Sequence, residues 1–364
     1  MKLLSTSTDL RLKIARERIA ASGLDALLVS SRENNHYFSG FSGTESWLLI
    51  TASQAFILID FRYWEQAASQ CPNFERINYA QDRIGILVET LNTANCRLLG
   101  VEGDDLSWGM GRQIAALMPA AELKPADGWL NELRSVKDET EVAMIRHAVE
   151  IAETALESIL PSIRPGQSEI EIAARLENAM RSQGASGPSF ATIIASGPRS
   201  ALPHGVASER LVQAGDAIVM DFGCIWQGYC SDMTRTVFLG EPGELARNIY
   251  AIVLDAQKRA AAALTAGMTG SIADAAARSI IAGAGYGPAF GHSLGHGVGL
   301  AIHESPRLAP GNSQQLVAGQ VVSVEPGIYL PGQFGARIED LMLVQDQGAL
   351  NLNTFNKELI VLPV

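Results

Sequence analysis

In the first third of the chain, the spacing of apolar residues follows the period of a helix in some segments and the period of a strand in others. The pattern predicts helices at residues 11–22, 61–71, 83–94 and 107–118 and strands at residues 25–30, 48–51, 55–60 and 97–101. Short strands that alternate with helices are typical of a small α/β domain.

A segment that contains prolines and a glycine interrupts this pattern between residues 119 and 133. Beyond it, a long helix is expected from near Asp138 to about residue 160. A chain of 364 residues also exceeds the usual size of a single hydrophobic core. We therefore expect an amino-terminal α/β domain at residues 1–130 and a second domain at residues 131–364.

An internal repeat lies within the second region. Residues 168–175 and 271–278 are similar helix starts, and each is followed at nearly the same distance by a Gly-Pro-Xaa-Phe segment. Such a repeat favours two similar halves related by an approximate two-fold axis, with a cleft between them. A chance likeness of two alanine-rich helices is the alternative.

The charge balance limits the kinds of partner that the chain can bind. Its 28 basic and 39 acidic residues give a net charge of −11, which disfavours binding to nucleic acid or to an anionic membrane. No apolar run has the length of a membrane span, and residues 1–9 lack the apolar core of a secretory signal. We expect a cytoplasmic protein, in which cysteines without Cys-Xaa-Xaa-Cys spacing are free thiols.

Four carboxylates occupy positions where the pattern otherwise indicates buried strands. These acids are Asp221, Asp232, Glu325 and Glu339. An ionised carboxylate in such a place is unstable unless it is paired or coordinates a metal ion. Arg235 and Arg337 could each pair with one acid, which is the alternative for any acid taken alone, but about two acids then remain unbalanced. Two divalent cations would offset all four charges, so we expect a dinuclear metal site.

Most of the six histidines lie in the same part of the chain as these acids. His296 lies in a glycine-rich stretch at residues 291–299, where the backbone can bend tightly and bring an imidazole close to an ion. A histidine in such a stretch can also merely cap a turn, which is the alternative. The expected ligands are Asp221, Asp232, His296, Glu325 and Glu339. Oxygen and nitrogen ligands without thiolate suit manganese, cobalt, iron or zinc.

Five motifs around these residues, taken in order, resemble the Xaa-Pro peptidase family, which comprises aminopeptidase P and prolidase. They are Met-Asp-Phe-Gly at 220–223, Ser-Asp-Met-Thr-Arg-Thr at 231–236, Gly-His-Gly-Val-Gly at 295–299, Val-Glu-Pro-Gly-Ile-Tyr at 324–329 and Arg-Ile-Glu-Asp at 337–340. Residues 34–51 and 60–67 look like the first domain of these peptidases, so the resemblance covers the whole chain. It implies a carboxyl-terminal domain with two pseudo-symmetric halves in the pita-bread fold, which methionine aminopeptidase and creatinase share.

The resemblance also implies a role for each expected ligand. Asp221 would chelate one ion, and His296 and Glu325 would hold the other. Asp232 and Glu339 would bridge both ions. Two divalent ions per chain are therefore expected, with manganese as the first choice and cobalt, zinc or iron as alternatives. A hydroxide between the ions would be the nucleophile.

Further residues match positions that act on the substrate in this family. Glu325 would take the proton of the nucleophile and return it as the bond breaks. His292 would support the tetrahedral intermediate as a hydrogen-bond donor, and His204 and His303 would line the substrate pocket. Arg337 matches an arginine beside the bridging acid.

The implied substrate is a short peptide with proline at its second position, cleaved before the proline. The nitrogen of that peptide bond carries no hydrogen, so a pocket shaped for the ring must supply the selectivity. A homodimer is common in the family and is expected here.

The choice within the family depends on how the end of the substrate is held. A prolidase needs a group that anchors the free carboxylate of a dipeptide, and Arg307 is the only basic residue between Ser305 and Gln320. The lack of a second arginine there, together with residues 60–63, favours aminopeptidase P, with an Xaa-Pro dipeptidase as the alternative. A non-catalytic relative that only binds peptides or proteins is a remote alternative, because such relatives lose metal ligands.

Overall fold

The chain divides into two units, Met1–Arg134 and Ser135–Val364. The structure, a computed structural model, describes the backbone of residues 2–364 and the side chains of residues 8–364. The prediction that residues 1–9 form no secretory signal therefore concerns side chains that lie largely outside the described residues. None of the described helices combines the length and the apolar character that crossing a bilayer requires.

Helices and strands alternate along the first unit, as the pattern of apolar residues predicts. Its elements are α1 Lys2–Ala21, β1 Ala26–Val29, α2 Arg32–Ser39, β2 Trp47–Thr51, β3 Ala55–Ile59, a 3-10 helix Phe61–Tyr63, α3 Trp64–Gln70, β4 Glu75–Asn78, α4 Arg83–Thr93, β5 Leu98–Val101, α5 Trp108–Leu117, β6 Glu122–Pro125 and α6 Asp127–Ser135. The strands form one mixed sheet in the order β4-β3-β2-β1-β5-β6. Strands β1, β2 and β3 are entirely buried, and apolar residues of α4 and α5 pack in the same core.

The sequence pattern misses helices α2 and α6, and it also misses the two edge strands of this sheet, β4 and β6. Both strands are largely exposed, and their polar and charged residues leave no apolar run that would indicate a strand. Strand β6 and most of α6 fall within residues 119–133, the segment expected to separate the domains. That segment is therefore folded, and the two units divide directly after it.

Long helices alternate with small sheets in the second unit. Its elements are α7 Glu139–Ile159, a 3-10 helix Leu160–Ser162, α8 Glu169–Ser182, β7 Gly187–Pro188, β8 Ile193–Ser196, a 3-10 helix Gly197–Ala201, β9 Ala217–Phe222, β10 Cys224–Trp226, β11 Tyr229–Cys230, β12 Met233–Leu239, α9 Glu244–Ala263, α10 Gly270–Gly283, a 3-10 helix Gly287–Ala289, β13 Gly295–Gly297, β14 Glu304–Leu308, β15 Val321–Val324, β16 Gly327–Leu330, β17 Phe334–Arg337, β18 Asp340–Val344, β19 Ala349–Asn351 and β20 Ile360–Leu362. The strands form two larger sheets, β20-β12-β9-β8 and β14-β13-β15-β18-β19, and the smaller sheets β11-β10-β7 and β16-β17.

Each half of the second unit combines a long helix with a 14-residue helix and packs both against its own sheet. Helices α7 and α8 share a buried core with β9 and β12, whereas α9 and α10 share a second core with β15 and β18. The segments after the short helices differ, since the first contributes strand β7 and the second a 3-10 helix at Gly287–Ala289. The helices and cores nevertheless agree with the two similar halves that the internal repeat predicts.

The caps of the two short helices define how the halves correspond. Ser168 caps α8, and its side chain accepts a hydrogen bond from the backbone N–H of Glu171. The equivalent cap of α10 is Thr269, which accepts from the backbone N–H of Ile272. The sequence likeness instead aligns Ser168 with Ser271, two residues too late. The alignment is wrong here because a run of alanines carries little information about helix register.

The two larger sheets meet at the residues that the sequence predicts as metal ligands. Strand β9 pairs with β12 so that Asp221 faces Thr234, and Asp232 lies directly before β12. Strand β15 pairs with β18 so that Glu325 and Glu339 lie opposite each other, just beyond the last pair of the ladder. The backbone N–H of Glu339 donates to the carbonyl oxygen of Thr234 at 3.1 Å. This bond joins the two halves beside the acids.

Thr269→Ala is expected to lower the Tm of the second unit, because loss of the cap of α10 costs about 1 kcal/mol. For a unit of this size the loss corresponds to about 2–4 °C in a thermal unfolding scan. Ser279→Ala is the matched control, because Ser279 is exposed in the body of α10, away from the cap, and it should shift the Tm much less. Equal shifts for the two variants would contradict the assignment of Thr269 as the cap.

Candidate metal centre

Four of the five expected ligands form one cluster in the second unit. One ligand atom from each of Asp232, His296 and Glu339 lies within 4.8 Å of the others. The imidazole Nε2 of His296 is 3.4 Å from Glu325 Oε1 and 3.7 Å from Asp232 Oδ2. Donor atoms at these separations are close enough to share cations.

The fifth expected ligand, Asp221, is oriented by an arginine. Its Oδ2 accepts a hydrogen bond from Arg337 Nη2, and its Oδ1 is buried without a hydrogen-bond partner among the described residues. Burial, and then neighbouring carboxylates that include Asp221, raise the pKa of Asp232 and of Glu339. Asp221 therefore belongs to the same electrostatic cluster, although Arg337 offsets its charge.

Arg337 acts on two acids at once. Besides Asp221, it reaches Glu339 through a threonine: its Nε donates to Thr234 Oγ1 at 3.1 Å, and Thr234 Oγ1 donates to Glu339 Oε2 at 2.7 Å. The resemblance implies an arginine beside the bridging acid, and the structure adds that its direct partner is Asp221. Thr234 gives no signal of this role in the sequence, because a threonine in a buried strand is usually a packing residue.

Ser323 orients the other side of the cluster. The backbone N–H of His296 donates to Ser323 Oγ at 3.0 Å, and Ser323 Oγ donates to Glu325 Oε1 at 3.2 Å. A Cβ atom at Gly295 would lie 2.0 Å from the carbonyl oxygen of Ser323. Glycine at that position thus allows the close approach of strands that brings His296 to the acids.

Arg235 does not pair with any of the four acids. It donates to Asp340 Oδ1 at 2.8 Å and to the carbonyl oxygen of Glu339 at 2.6 Å, and its side chain is only 1% exposed. The alternative in which Arg235 and Arg337 each neutralise one acid is therefore wrong for Arg235. Among the described residues, Arg337 is the only lysine or arginine that forms an ion pair with the cluster, through Asp221, so most of the negative charge has no cationic side chain beside it.

Burial and mutual repulsion disfavour the ionised form of these acids. Burial first, and then the other carboxylates, raise the pKa of Asp232 and of Glu339 well above their ordinary values. Burial likewise raises the pKa of Glu325 to about 8. For His296 burial works in the opposite direction and lowers the pKa to about 4, so the imidazole is neutral. Its Nδ1 is 3.1 Å from the carbonyl oxygen of Gly297, which can only accept, so Nδ1 carries the hydrogen and the Nε2 lone pair faces the acids.

The site fits divalent metal ions. Asp221 Oδ1 and Glu339 Oε1 are buried acceptors that lack a hydrogen-bond partner among residues 8–364, and the acids carry more charge than one arginine offsets. The donors are carboxylate oxygens and one neutral imidazole nitrogen, a set that manganese, cobalt, iron and zinc accept. Cys224 and Cys230 are buried thiols outside any disulfide, as the sequence predicts, and their sulfur atoms contact backbone carbonyl oxygens instead.

His292 belongs to a chain of hydrogen bonds beside the cluster. Its Nδ1 is 2.8 Å from the carbonyl oxygen of Ser293 and so carries a hydrogen, and burial lowers the pKa of the ring to about 4. The neutral ring therefore accepts at Nε2 from Tyr329 Oη, at 2.9 Å. Tyr329 Oη in turn accepts from Arg337 Nη1 at 2.6 Å. The contacts of Tyr329 with both residues are visible only in the folded chain, although the tyrosine ends one of the five motifs.

His303, His204 and Arg307 surround the cluster. The ring of His303 contacts that of His296 edge-on, with 4.4 Å between their centroids. Burial, and then the charges of His204 and Arg307, lower the pKa of His303, which places both groups near it. Arg307 lies opposite His296 in the pairing of β13 with β14. Its guanidinium forms no ion pair within the described part of the chain, so it is available to an anionic ligand.

Comparisons with known proteins identify relatives of both units. The family model described as Metallopeptidase family M24 matches residues 143–346, and that of the Creatinase/Prolidase N-terminal domain matches residues 11–136. The chain is 40% identical to the Xaa-Pro dipeptidase of Pyrococcus furiosus, over 93% of this chain and 96% of that protein. It is similar to the structure of an Xaa-Pro dipeptidase from Bacillus anthracis, with a TM-score of 0.94, 42% identity and coverage of 98% and 100% of the two chains. An X-Pro aminopeptidase structure from Thermotoga maritima gives a TM-score of 0.88, with 41% identity and coverage of 93% and 98%.

The names of these relatives bear on the choice that the sequence leaves open. Proteins named as Xaa-Pro dipeptidases or prolidases recur among the similar sequences and structures. They favour the dipeptidase alternative over the aminopeptidase P that residues 60–63 and the single arginine in the segment 305–320 led us to expect.

Asp232→Asn is expected to stabilise the metal-free protein. Because burial and repulsion raise the pKa of Asp232, the folded carboxyl holds a proton that the unfolded chain releases, and folding becomes less favourable as the pH rises above the ordinary value of 3.8. Asparagine carries no such charge, so at pH 8 the variant with EDTA should unfold about 2–4 °C above the wild type in a thermal scan. The difference should shrink as the pH falls towards 4. Added MnCl2 should raise the Tm of the wild type but not that of the variant.

Asp216→Asn is the matched control, because Asp216 is buried in the same unit but paired with Arg210 at 2.6 Å. This variant should lower the Tm of the metal-free protein and keep the response to MnCl2. A metal-free Asp232→Asn protein that is less stable than the wild type at pH 8 would contradict the charge repulsion described above.

Proposed function

The chain belongs to metallopeptidase family M24, and within that family we propose that it is an Xaa-Pro dipeptidase, which hydrolyses the bond between an amino-terminal residue and a following proline. The observation that carries this function is the buried cluster of four carboxylates and a neutral imidazole, in which one arginine offsets only part of the charge. The family match and the recurring dipeptidase names of the relatives support it. The resemblance to Xaa-Pro peptidases and the pita-bread fold that it implies are confirmed by the same matches.

Two divalent ions would be held by the five ligands that the sequence predicts. Asp221 would bind one ion, His296 and Glu325 the other, and Asp232 and Glu339 both. When bound, such ions supply Lewis acidity, which polarises a carbonyl group and makes water a nucleophile near neutral pH. Manganese is the expected ion, with cobalt, zinc or iron as alternatives.

The carboxylate of Glu325 would move the proton of the reaction. Ser323 holds its Oε1, so the group has a fixed orientation at the edge of the cluster. As the oxygen of water bonds to the scissile carbonyl carbon, Glu325 takes a proton from that water. It returns the proton to the proline nitrogen as the carbon–nitrogen bond breaks, so that proline leaves as a neutral amine.

Three histidines would contact the substrate. His204 and His303 would line the pocket, and His292 would lie near the scissile carbonyl group. In the described arrangement both nitrogens of His292 are engaged, by Ser293 and by Tyr329. For His292 to donate to the substrate, its ring must therefore give up one of these two contacts.

Arg307 would select dipeptides by pairing with their free carboxylate. It is exposed, lies opposite His296 across β13 and β14, and makes no ion pair among the described residues. In a dipeptide the carboxylate is on the proline itself, so it lies within a few atoms of the scissile bond. A single guanidinium is sufficient for a bidentate contact with it, which removes the need for a second arginine.

Hydrolysis assays test this function directly. The manganese-loaded protein should cleave Ala-Pro faster than Ala-Pro-Ala at matched concentration and should leave Ala-Ala intact. A preference for Ala-Pro-Ala would instead indicate aminopeptidase P, and no cleavage of either proline peptide would refute the proposal. The homodimer and the cytoplasmic location stay predictions.

Arg307→Met should reduce kcat/KM for Ala-Pro by about tenfold to a hundredfold, because it removes charged hydrogen bonds worth about 1.5–3 kcal/mol. The same variant should change the cleavage of the carboxamide Ala-Pro-NH2 by less than about threefold, since that substrate has no carboxylate to anchor. Lys258→Met, which removes an exposed charge on α9, is the control and should affect neither substrate. An equal loss for both substrates would contradict the anchoring role.

His292→Ala should retain both metal ions and lose turnover. The alanine removes no proposed ligand, so the metal content measured by elemental analysis should match that of the wild type. It does remove the group proposed to donate to the tetrahedral intermediate, and kcat should fall by about a hundredfold or more. An unchanged kcat would exclude His292 from the reaction.

A further inference from the structure

A buried ion pair includes Glu304, the residue next to His303, and none of the roles described so far uses this pair. Lys137 Nζ is 3.0 Å from Glu304 Oε2, and the two side chains are 1% and 5% exposed. Both residues belong to the second unit, but 167 positions separate them in the chain. The pair therefore connects the start of helix α7 to the segment that follows the glycine-rich stretch.

The glutamate of this pair folds back over the loop that precedes it. Its Oε1 accepts a hydrogen bond from the backbone N–H of Ala301 at 3.0 Å. A Cβ atom at Gly299 would lie 2.6 Å from its Oε2, so the carboxylate packs directly against the backbone there. In β14, Glu304 also pairs with Gly297, next to the bulge at His296. The Glu304 carboxylate thus supports the backbone of the loop at residues 298–303 from its buried side.

This loop carries His303, the residue immediately before Glu304. The His303 residue is exposed, whereas the side chain of Glu304 is turned inward, and the His303 ring meets the ring of the expected ligand His296 at 4.4 Å. His303 is bonded directly to Glu304, in the bend that leads into β14. Fixing the Glu304 side chain in the interior therefore limits where the His303 ring can lie.

The lysine of the pair has its own firm support. Its Nζ also donates to the carbonyl oxygen of Ser135 at 3.2 Å, and its backbone N–H donates to the carbonyl oxygen of Gly319 at 2.8 Å. Directly after it, Asp138 and Glu141 form the capping box that begins α7. Lys137 is therefore a fixed point from which Glu304 can be held.

We propose that the Lys137–Glu304 ion pair is a positioning device, which holds the loop of residues 298–303 so that His303 is presented to the substrate at the metal centre. A buried ion pair seldom adds net stability over apolar residues of similar size, because removing both charges from water costs about as much as their attraction returns. The pair instead fixes a geometry, because the Glu304 carboxylate must contact Lys137 Nζ and accept the hydrogen bond from the backbone N–H of Ala301 at the same time. The proposal rests on the proposed function in so far as His303 is assigned to the substrate pocket.

Lys137→Met and Glu304→Gln are the test variants, since each keeps most of the side-chain volume and removes one charge. For either, kcat/KM on Ala-Pro should fall by about tenfold, mainly through KM, while the manganese content per chain stays unchanged. Lys137→Arg keeps the charge and should retain most of the wild-type value. The double variant Lys137→Met/Glu304→Gln leaves no buried charge unpaired, so it should recover stability but not KM.

Arg210→Met is the control for a loss of stability that is unrelated to the loop, because it breaks the Arg210–Asp216 pair in the same unit. It should lower the Tm and leave KM unchanged. A second control combines Lys137→Met with His303→Ala. If the ion pair acts through His303, the lysine substitution should change kcat/KM by less than about twofold in that background.

Hydrogen–deuterium exchange of residues 298–304 provides a readout that needs no activity. The amides of this loop should exchange about tenfold faster in Lys137→Met than in the wild type, and no faster in Arg210→Met. The proposal would be overturned if these amides exchanged at the same rate in Lys137→Met as in the wild type. It would also be overturned if Lys137→Met lowered kcat/KM by the same factor with and without His303→Ala. A wild-type protein that binds manganese but cleaves neither proline peptide would refute the proposed function alone, and the exchange comparison would still decide whether the ion pair holds the loop.

Discussion

The removal of four carboxylates from water is the constraint on which the second unit depends. In an interior of low dielectric their repulsion is weakly screened, and Arg337 is the only lysine or arginine that forms an ion pair with any of them among the described residues. The consequence is visible in the raised pKa values of Asp232, Glu325 and Glu339. The carboxylates that destabilise the metal-free fold are thus the same groups that favour metal binding. A substitution that removes one of these two effects also removes the other.

Hydrogen bonds across the two halves hold these acids at their spacing. Neither half carries the full set of proposed ligands: two aspartates come from the first half, and the histidine and two glutamates from the second. Thr234 connects the halves twice, through its carbonyl oxygen to the backbone of Glu339 and through its hydroxyl to the carboxylate of the same residue. The buried guanidinium of Arg235 adds a bond to the carbonyl oxygen of Glu339. A site built on paired strands in this way keeps its geometry better than one built on loops.

In the proposed dipeptidase, selectivity for proline peptides would rest on groups outside the set of proposed metal ligands. The family match assigns the metallopeptidase chemistry, whereas the size of substrate that is accepted depends on what surrounds the cleft. The guanidinium of Arg307, which forms no ion pair among the described residues, would suit the free carboxylate of a dipeptide. The pair of Lys137 with Glu304 would support the loop of His303 from its buried side. In this proposal a chain with a single basic residue in the segment 305–320 could still act on dipeptides, contrary to our sequence-based expectation.

The sequence by itself determined which acids and which histidine are the candidate ligands and which segments form most helices and strands, because both are local properties. An acid such as Asp221 or Glu325 that ends an apolar run is conspicuous in any fold. The elements missed in the first unit, two exposed edge strands and the short helices α2 and α6, lack a clear apolar period. Only the tertiary structure decided which groups meet. Arg337 and Asp221 are 116 positions apart, and Lys137 and Glu304 are 167 apart, so no local period relates them. The pattern of residues tells which side chains are buried, but the partner of a buried charge is set by how distant strands and helices pack, and that is a property of the whole fold.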